Sequence, residues 1–130
     1  MKGIPFTKFV PGIIWFFVVL ILIILPGNDF PKVENWYHKW HVDKWVHAGI
    51  FGLLAFLFMF PFVKAISDRN MVLRVCKNIA ILTMLWGFAT ECIQLMVPGR
   101  SFDIVDGLAD AMGAFLAYLY FRKKTVNTTA

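Results

Sequence analysis

Half of the eight acidic residues in this 130-residue chain fall in one stretch, 87–113: Glu91, Asp103, Asp106 and Asp110. The stretch lies between apolar runs, where a carboxylate is costly and so marks a functional site by default. Carboxylates so placed can bind a cation, relay a proton or act as general bases. Their spacing is helical. Gly87, Glu91 and Gln94 stand at i, i+4 and i+7, which puts them on one helix face. Asp103, Asp106, Asp110, Gly113 and Ala117 follow in steps of three and four, a seam of acids running into small residues on a second helix. Pro98-Gly99 between them signals a turn, with proline suited to the first central position and glycine to a positive φ. The expectation is a helical hairpin with carboxylates and an amide facing each other.

Two cationic or titratable groups join this set. His47 opens another apolar run, and Arg100 follows the turn. Asp43 and His47 are four apart and so are expected to share a helix face and pair. The residues then define a polar pocket of His47, Glu91, Gln94, Arg100, Asp103, Asp106 and Asp110. Glu91, His47 and Asp106 are its candidate acid–base groups. A structural alternative is an interhelical network in which Lys44, His47 and Arg100 offset the carboxylates; such contacts between membrane helices are worth only about 0.6–2 kcal/mol each. A proton relay through Glu91, His47 and Asp110 is a further reading. Glu, Asp and His could also hold a cation, but no HExxH pair is present and only His47 is placed to supply nitrogen, so no metal ligands are assigned. Ser101 has no histidine placed to activate it and reads as a helix N-cap, not a nucleophile.

The elements that must position these groups are apolar. The chain is 59% hydrophobic, against roughly 45–50% for a soluble domain, and its polarity is segregated into blocks. This predicts an all-α integral membrane protein, one domain over 1–130, with a bundle of four spans at about 9–25, 45–63, 78–97 and 104–121. The first run has no small-x-small cleavage site and reads as an uncleaved span. The loop after it carries Trp36, Tyr37 and Trp40, with Trp45 just beyond, an aromatic belt suited to the headgroup level. A short interfacial helix over 32–40 fits there, with His38 and His41 as exposed loop histidines. Gly49 and Gly52 permit close helix contact, and Pro61 bends or ends the second span. Residues 64–77 read as a basic connection containing Cys76, with Cys92 inside a span; neither cysteine suggests a disulfide or thiolate metal site. Residues 126–130 read as a frayed tail.

Nine Lys and Arg fall on one side of this arrangement and four on the other. The positive-inside rule then puts both termini in the cytoplasm and the polar pocket outside. Glu91 and Asp110 each lie about 10 Å in from their helix ends on that face. The net charge of +5 flanks apolar runs and lacks the basic stripe of a nucleic-acid binder.

The ordered set Asp43-Lys44-x-x-His47, Glu91-x-x-Gln94, Pro98-x-Arg100-x-x-Asp103-x-x-Asp106, then Ala109 and Gly113, resembles the VanZ-like family of small bacterial membrane proteins. The likeness covers about 43–121. That family commonly has Asn where this chain has Asp110. The resemblance implies a four-helix protein of the bacterial cytoplasmic membrane and an association with teicoplanin sensitivity, and it adds Asp43 and Lys44 to the binding set. The expected function is a cell-envelope protein whose pocket binds an outer-leaflet lipid headgroup or an amphiphile such as a lipoglycopeptide. The alternatives are a membrane enzyme acting on an envelope lipid or its phosphate, with Arg100 orienting the phosphate and Glu91 or His47 as base, and a proton-coupled transporter.

Overall fold

The structure is a computed structural model that describes residues 3–25 and 42–127. A single 3₁₀ turn, Phe6–Lys8, leads into α1, Val10–Ile24; then come α2, Val42–Ala65, α3, Arg69–Gln94, and α4, Ile104–Asn127. The described residues contain no strand. Three helices, α2, α3 and α4, are long and apolar enough to cross a membrane. At 15 residues, α1 is shorter. The expected interfacial helix over 32–40, with His38 and His41, lies outside the described residues.

The helix ends differ from the sequence reading, for local reasons. Asp68 caps α3 by accepting the Asn70 N–H at 2.9 Å, so the helix starts at Arg69 and absorbs most of the expected basic connection, leaving only residues 66–68 as a link. Cys76 is consequently a buried residue of α3 and not a loop residue, while Cys92 is exposed; both are free thiols. Pro61 is buried inside α2, which continues to Ala65. At its other end α3 stops at Gln94, because Val97 to Arg100 closes a turn, Arg100 N–H to Val97 O at 3.2 Å, with Gly99 at φ 76. That is the positive φ a glycine supplies at the second central turn position. Glu91 therefore lies three residues, about 4.5 Å, from its helix end and not about 10 Å. Ser101 does not cap α4. Asp103 does, its Oδ1 accepting the Val105 N–H at 2.8 Å, since it immediately precedes the first helical residue. The helix continues to Asn127, past the tail expected at 126.

Packing centres on α4, which lies most extensively against α2 and then α3. The α2–α4 approach is closer than any side chain would allow. A Cβ on Gly113 would fall 2.0 Å from the Ala48 carbonyl oxygen, and one on Gly52 would fall 3.1 Å from the Gly113 carbonyl oxygen. A Cβ on Gly49, by contrast, would meet nothing within 4 Å among the described residues, so the close contact does not require that glycine. Below this crossing an apolar core joins Ala55 and Met59 to Cys76, Ala80, Ala114 and Phe121. Helix α1 attaches through a Trp15 indole N–H to Ile50 O bond of 3.0 Å and ring contacts Phe9–Phe62 and Phe16–Trp86.

Polarity is inverted relative to a water-soluble fold. Glu91, Asp110 and Thr90 are buried, whereas Ile14, Phe17, Leu82, Leu85 and Leu116 are exposed. Exposed apolar faces of this extent need a nonaqueous partner.

The glycine contact generates a test. Gly113→Ala should destabilise the folded chain by about 1–3 kcal/mol or more through overpacking, whereas Gly49→Ala should be near neutral. Thermal unfolding in detergent reads both, and equal effects would show that the α2–α4 approach is looser than described.

Candidate functional site

Four helix ends meet at one end of the bundle: the C-termini of α1 and α3 and the N-termini of α2 and α4. The residues singled out from the sequence converge there. Helical periodicity explains their placement, since Gly87, Glu91 and Gln94 are all buried on one face of α3. The seam on α4 grades from part-exposed Asp103, through Asp106, to fully buried Asp110. Gly87 lets the two faces meet: a Cβ there would fall 2.7 Å from the Asp110 Cβ.

Lys44 organises the mouth of the cluster. Its ammonium lies 2.7 Å from Asp103 Oδ2, 3.0 Å from Asp43 Oδ2, and against Asp106 Oδ1. The ammonium holds the Asp103 carboxyl below its ordinary value, helped by the Val105 N–H that Asp103 accepts. Deeper in, His47 does not pair with Asp43 as the i, i+4 spacing suggested. Its Nδ1 lies 3.0 Å from Asp110 Oδ1 on α4, and its Nε2 lies 3.9 Å from Asp106 Oδ2. The acids of α4 face the imidazole from across the close α2–α4 crossing, and Asp43 is held by Lys44.

Glu91 is fully buried. Its Oε2 accepts the Asp103 backbone N–H at 3.1 Å, which ties α3 to the cap of α4. Its Oε1 and the Asp110 Oδ2 have no hydrogen-bond partner among the described residues. Ligand atoms of His47, Glu91 and Asp106 lie within 4.8 Å of one another, the group among the described residues that could hold a metal ion.

A second compartment adjoins this one. A cavity of about 440 Å³ opens between α1, α2 and the turn after α3; Asp43, His47, Gln94 and Arg100 stand at its polar end. Its apolar wall is built by Val19, Leu22 and Ile23 of α1 with Val46, Ile50 and Phe51 of α2. Arg100 donates to the Leu25 and Leu22 carbonyls at 3.4 Å, meeting the open C-terminal carbonyls of α1. Thus seven of the nine predicted residues, Asp43, Lys44, His47, Glu91, Asp103, Asp106 and Asp110, form the charged cluster. Gln94 and Arg100 line the cavity beside it. The α1 wall carries no sequence signal, because that helix is apolar on every face and no period singles out a lining side.

The sequence model of the VanZ/LLP1 family matches residues 6–126. No curated protein and no solved structure matches the chain.

The Lys44 cluster should behave as one unit. Removing one partner of a buried ion pair costs about 3–5 kcal/mol, and a part-exposed lysine proportionately less, so Lys44→Met should cost about 2 kcal/mol. Adding Asp106→Asn should recover part of that loss, and strict additivity in a double-mutant cycle would show the groups to be independent. The pH dependence has a definite sign. A lowered carboxyl value contributes stability that is fully present above the ordinary aspartate value, about 3.9, and is lost as pH falls through the folded value. The wild-type advantage over Lys44→Met should therefore hold at neutral pH and shrink below about pH 4.

Proposed function

The chain belongs to the VanZ/LLP1 family, and on that premise we propose that it is a bacterial cell-envelope membrane protein that binds an amphiphile from the outer leaflet. One observation carries this reading: a cavity whose polar end holds Asp43, His47, Gln94 and Arg100 and whose wall is apolar side chains of α1 and α2. That division matches a molecule with a polar headgroup and a hydrocarbon tail. Arg100 suits an anionic or hydrogen-bonding headgroup, because its guanidinium presents several donors in a fixed fork.

In this reading all four helices lie across the bilayer, both termini are cytoplasmic, and the site faces outside. The excess of Lys and Arg at the opposite end of the bundle supports that orientation. A lipoglycopeptide such as teicoplanin is one such amphiphile. Its acyl tail gains about 0.8 kcal/mol per buried CH₂ on entering lipid, whereas vancomycin stays in water. A protein confined to the bilayer can then influence the first drug selectively. An enzyme acting on an envelope lipid phosphate would use the same headgroup end, with Glu91 or His47 as base.

Orientation is checked by thiol labelling in a background lacking Cys92, which is exposed. Ser101→Cys should react with an impermeant reagent from outside, and Asp68→Cys should not. Gly99 is avoided because its φ of 76 would strain a cysteine. The reverse pattern would move the cavity to the cytoplasmic face and remove the outer-leaflet reading.

Function is checked by expression in a susceptible Gram-positive host. Sensitivity to teicoplanin should shift more than sensitivity to vancomycin, and the shift should disappear in Arg100→Ala protein that still inserts. Equal shifts for both drugs would point to a general envelope change instead of binding.

A further inference from the structure

Buried carboxylate oxygens need a donor, a proton or a cation, and this site leaves two of them without one. Glu91 Oε1 and Asp110 Oδ2 are buried with no partner among the described residues, on side chains with no solvent exposure. The Lys44 ammonium does not serve them, being engaged by Asp43, Asp103 and Asp106.

The neighbours of Glu91 have the geometry of metal ligands. Three helices each contribute one side chain, and the ligand atoms of His47, Glu91 and Asp106 lie within 4.8 Å of one another. Ligands on opposite sides of a cation, at bonds of about 2.0–2.2 Å, stand at most about 4.4 Å apart. Side-chain rotation of a few tenths of an ångström closes the difference. His47 is already oriented for the task. Its Nδ1 lies 3.0 Å from Asp110 Oδ1; a proton shared there leaves Nε2 as a bare lone pair, the carboxylate–histidine–metal arrangement of many sites. That Nε2 lies 3.9 Å from Asp106 Oδ2, while the other Asp106 oxygen takes Lys44. Glu91 likewise divides its oxygens, Oε2 to the Asp103 N–H and Oε1 left over.

The geometry points to a divalent transition-metal site formed by His47, Glu91 and Asp106, with Asp110 as the positioning residue behind the histidine. One imidazole nitrogen and two carboxylates favour Zn²⁺ or Mn²⁺ over Mg²⁺ or Ca²⁺, which prefer all-oxygen shells. Three protein ligands leave a position open for water or an anionic group. The site stands on the cluster alone and does not depend on what fills the adjacent cavity.

The test uses the full chain in detergent, stripped with a chelator and then equilibrated with Zn²⁺ or Mn²⁺ and no added lipid. Elemental analysis should find about one ion per chain, with a higher thermal midpoint in its presence. Glu91→Gln and His47→Gln should each weaken binding at least about ten-fold, while Asp68→Asn, at the opposite end of the bundle, should bind as wild type. Glu91→Gln keeps an acceptor for the Asp103 N–H and so spares the fold. Pulsed electron paramagnetic resonance of Mn²⁺ on the wild type gives a readout that needs no variant, and should show nitrogen coupling from the imidazole. Wild-type protein that binds less than about a tenth of an ion with either metal, bound Mn²⁺ without nitrogen coupling, or undiminished binding by the two variants would each overturn the site.

Discussion

A carboxylate removed from water must be compensated, and that constraint governs the end of the bundle that carries the charged cluster. Glu91 and Asp110 have no solvent exposure, and an ion so placed costs several kcal/mol unless hydrogen bonds and opposite charge offset it. The offsets are specific. Asp110 faces the His47 ring, and Glu91 takes the backbone N–H of Asp103. Asp103 is itself the cap of α4 and a partner of Lys44. One short chain of contacts therefore links α3 to the start of α4 and α4 to the start of α2. Three helix ends are set in register by polar groups that have no cheaper place to go.

Those contacts require helices closer than ordinary side chains permit. The glycine at 113 lets α4 approach the Ala48 and Gly52 backbone of α2, and the glycine at 87 makes room for the Asp110 side chain. Either approach, widened by a methyl group, would separate His47 from Asp110 or Glu91 from its neighbours. In a bilayer, where lipid tails compete with apolar packing on equal terms, close backbone contact and polar pairing are the main forces left to hold helices together. The small-residue seam and the acid seam of α4 are thus one device, continuous along the same face.

Much of this was legible in the residue spacing. The α3 face and the α4 seam follow from steps of three and four, the turn from Pro98-Gly99, and the convergence of three segments from their shared polarity at one end. The misreadings have local causes. Asp103 displaced Ser101 as cap because the chain stays non-helical two residues longer after the turn. Asp68 capped α3 ten residues ahead of its apolar run, and Arg69, Arg74 and Lys77 are good helix formers that join the helix once it is nucleated. The i, i+4 pairing of Asp43 with His47 lost to tertiary contacts, which sequence spacing along one helix cannot weigh. The cavity wall was invisible because the composition of α1 gives no reason to prefer one face over another.

The two compartments separate roles in a way that follows from their construction. The charged cluster belongs to α2, α3 and α4, the helices that pack most extensively, so its geometry is over-determined. The cavity is completed by α1, which is joined to the rest by the Trp15 indole hydrogen bond, ring contacts, the Arg100 link to its last carbonyls, and a second apolar core in which Val19 and Ile23 pack with Phe51 and Leu54. The wall residues Val19, Ile23 and Phe51 belong to that core, so reshaping the wall would disturb the packing of α1 on α2. The charged groups are thus set by the three helices in closest contact, and the apolar wall by α1 and α2. His47 belongs to both compartments. Its ring is the shared partition, so whatever charge the cluster carries is felt at the polar end of the cavity within a few ångströms, where low-dielectric surroundings screen it little.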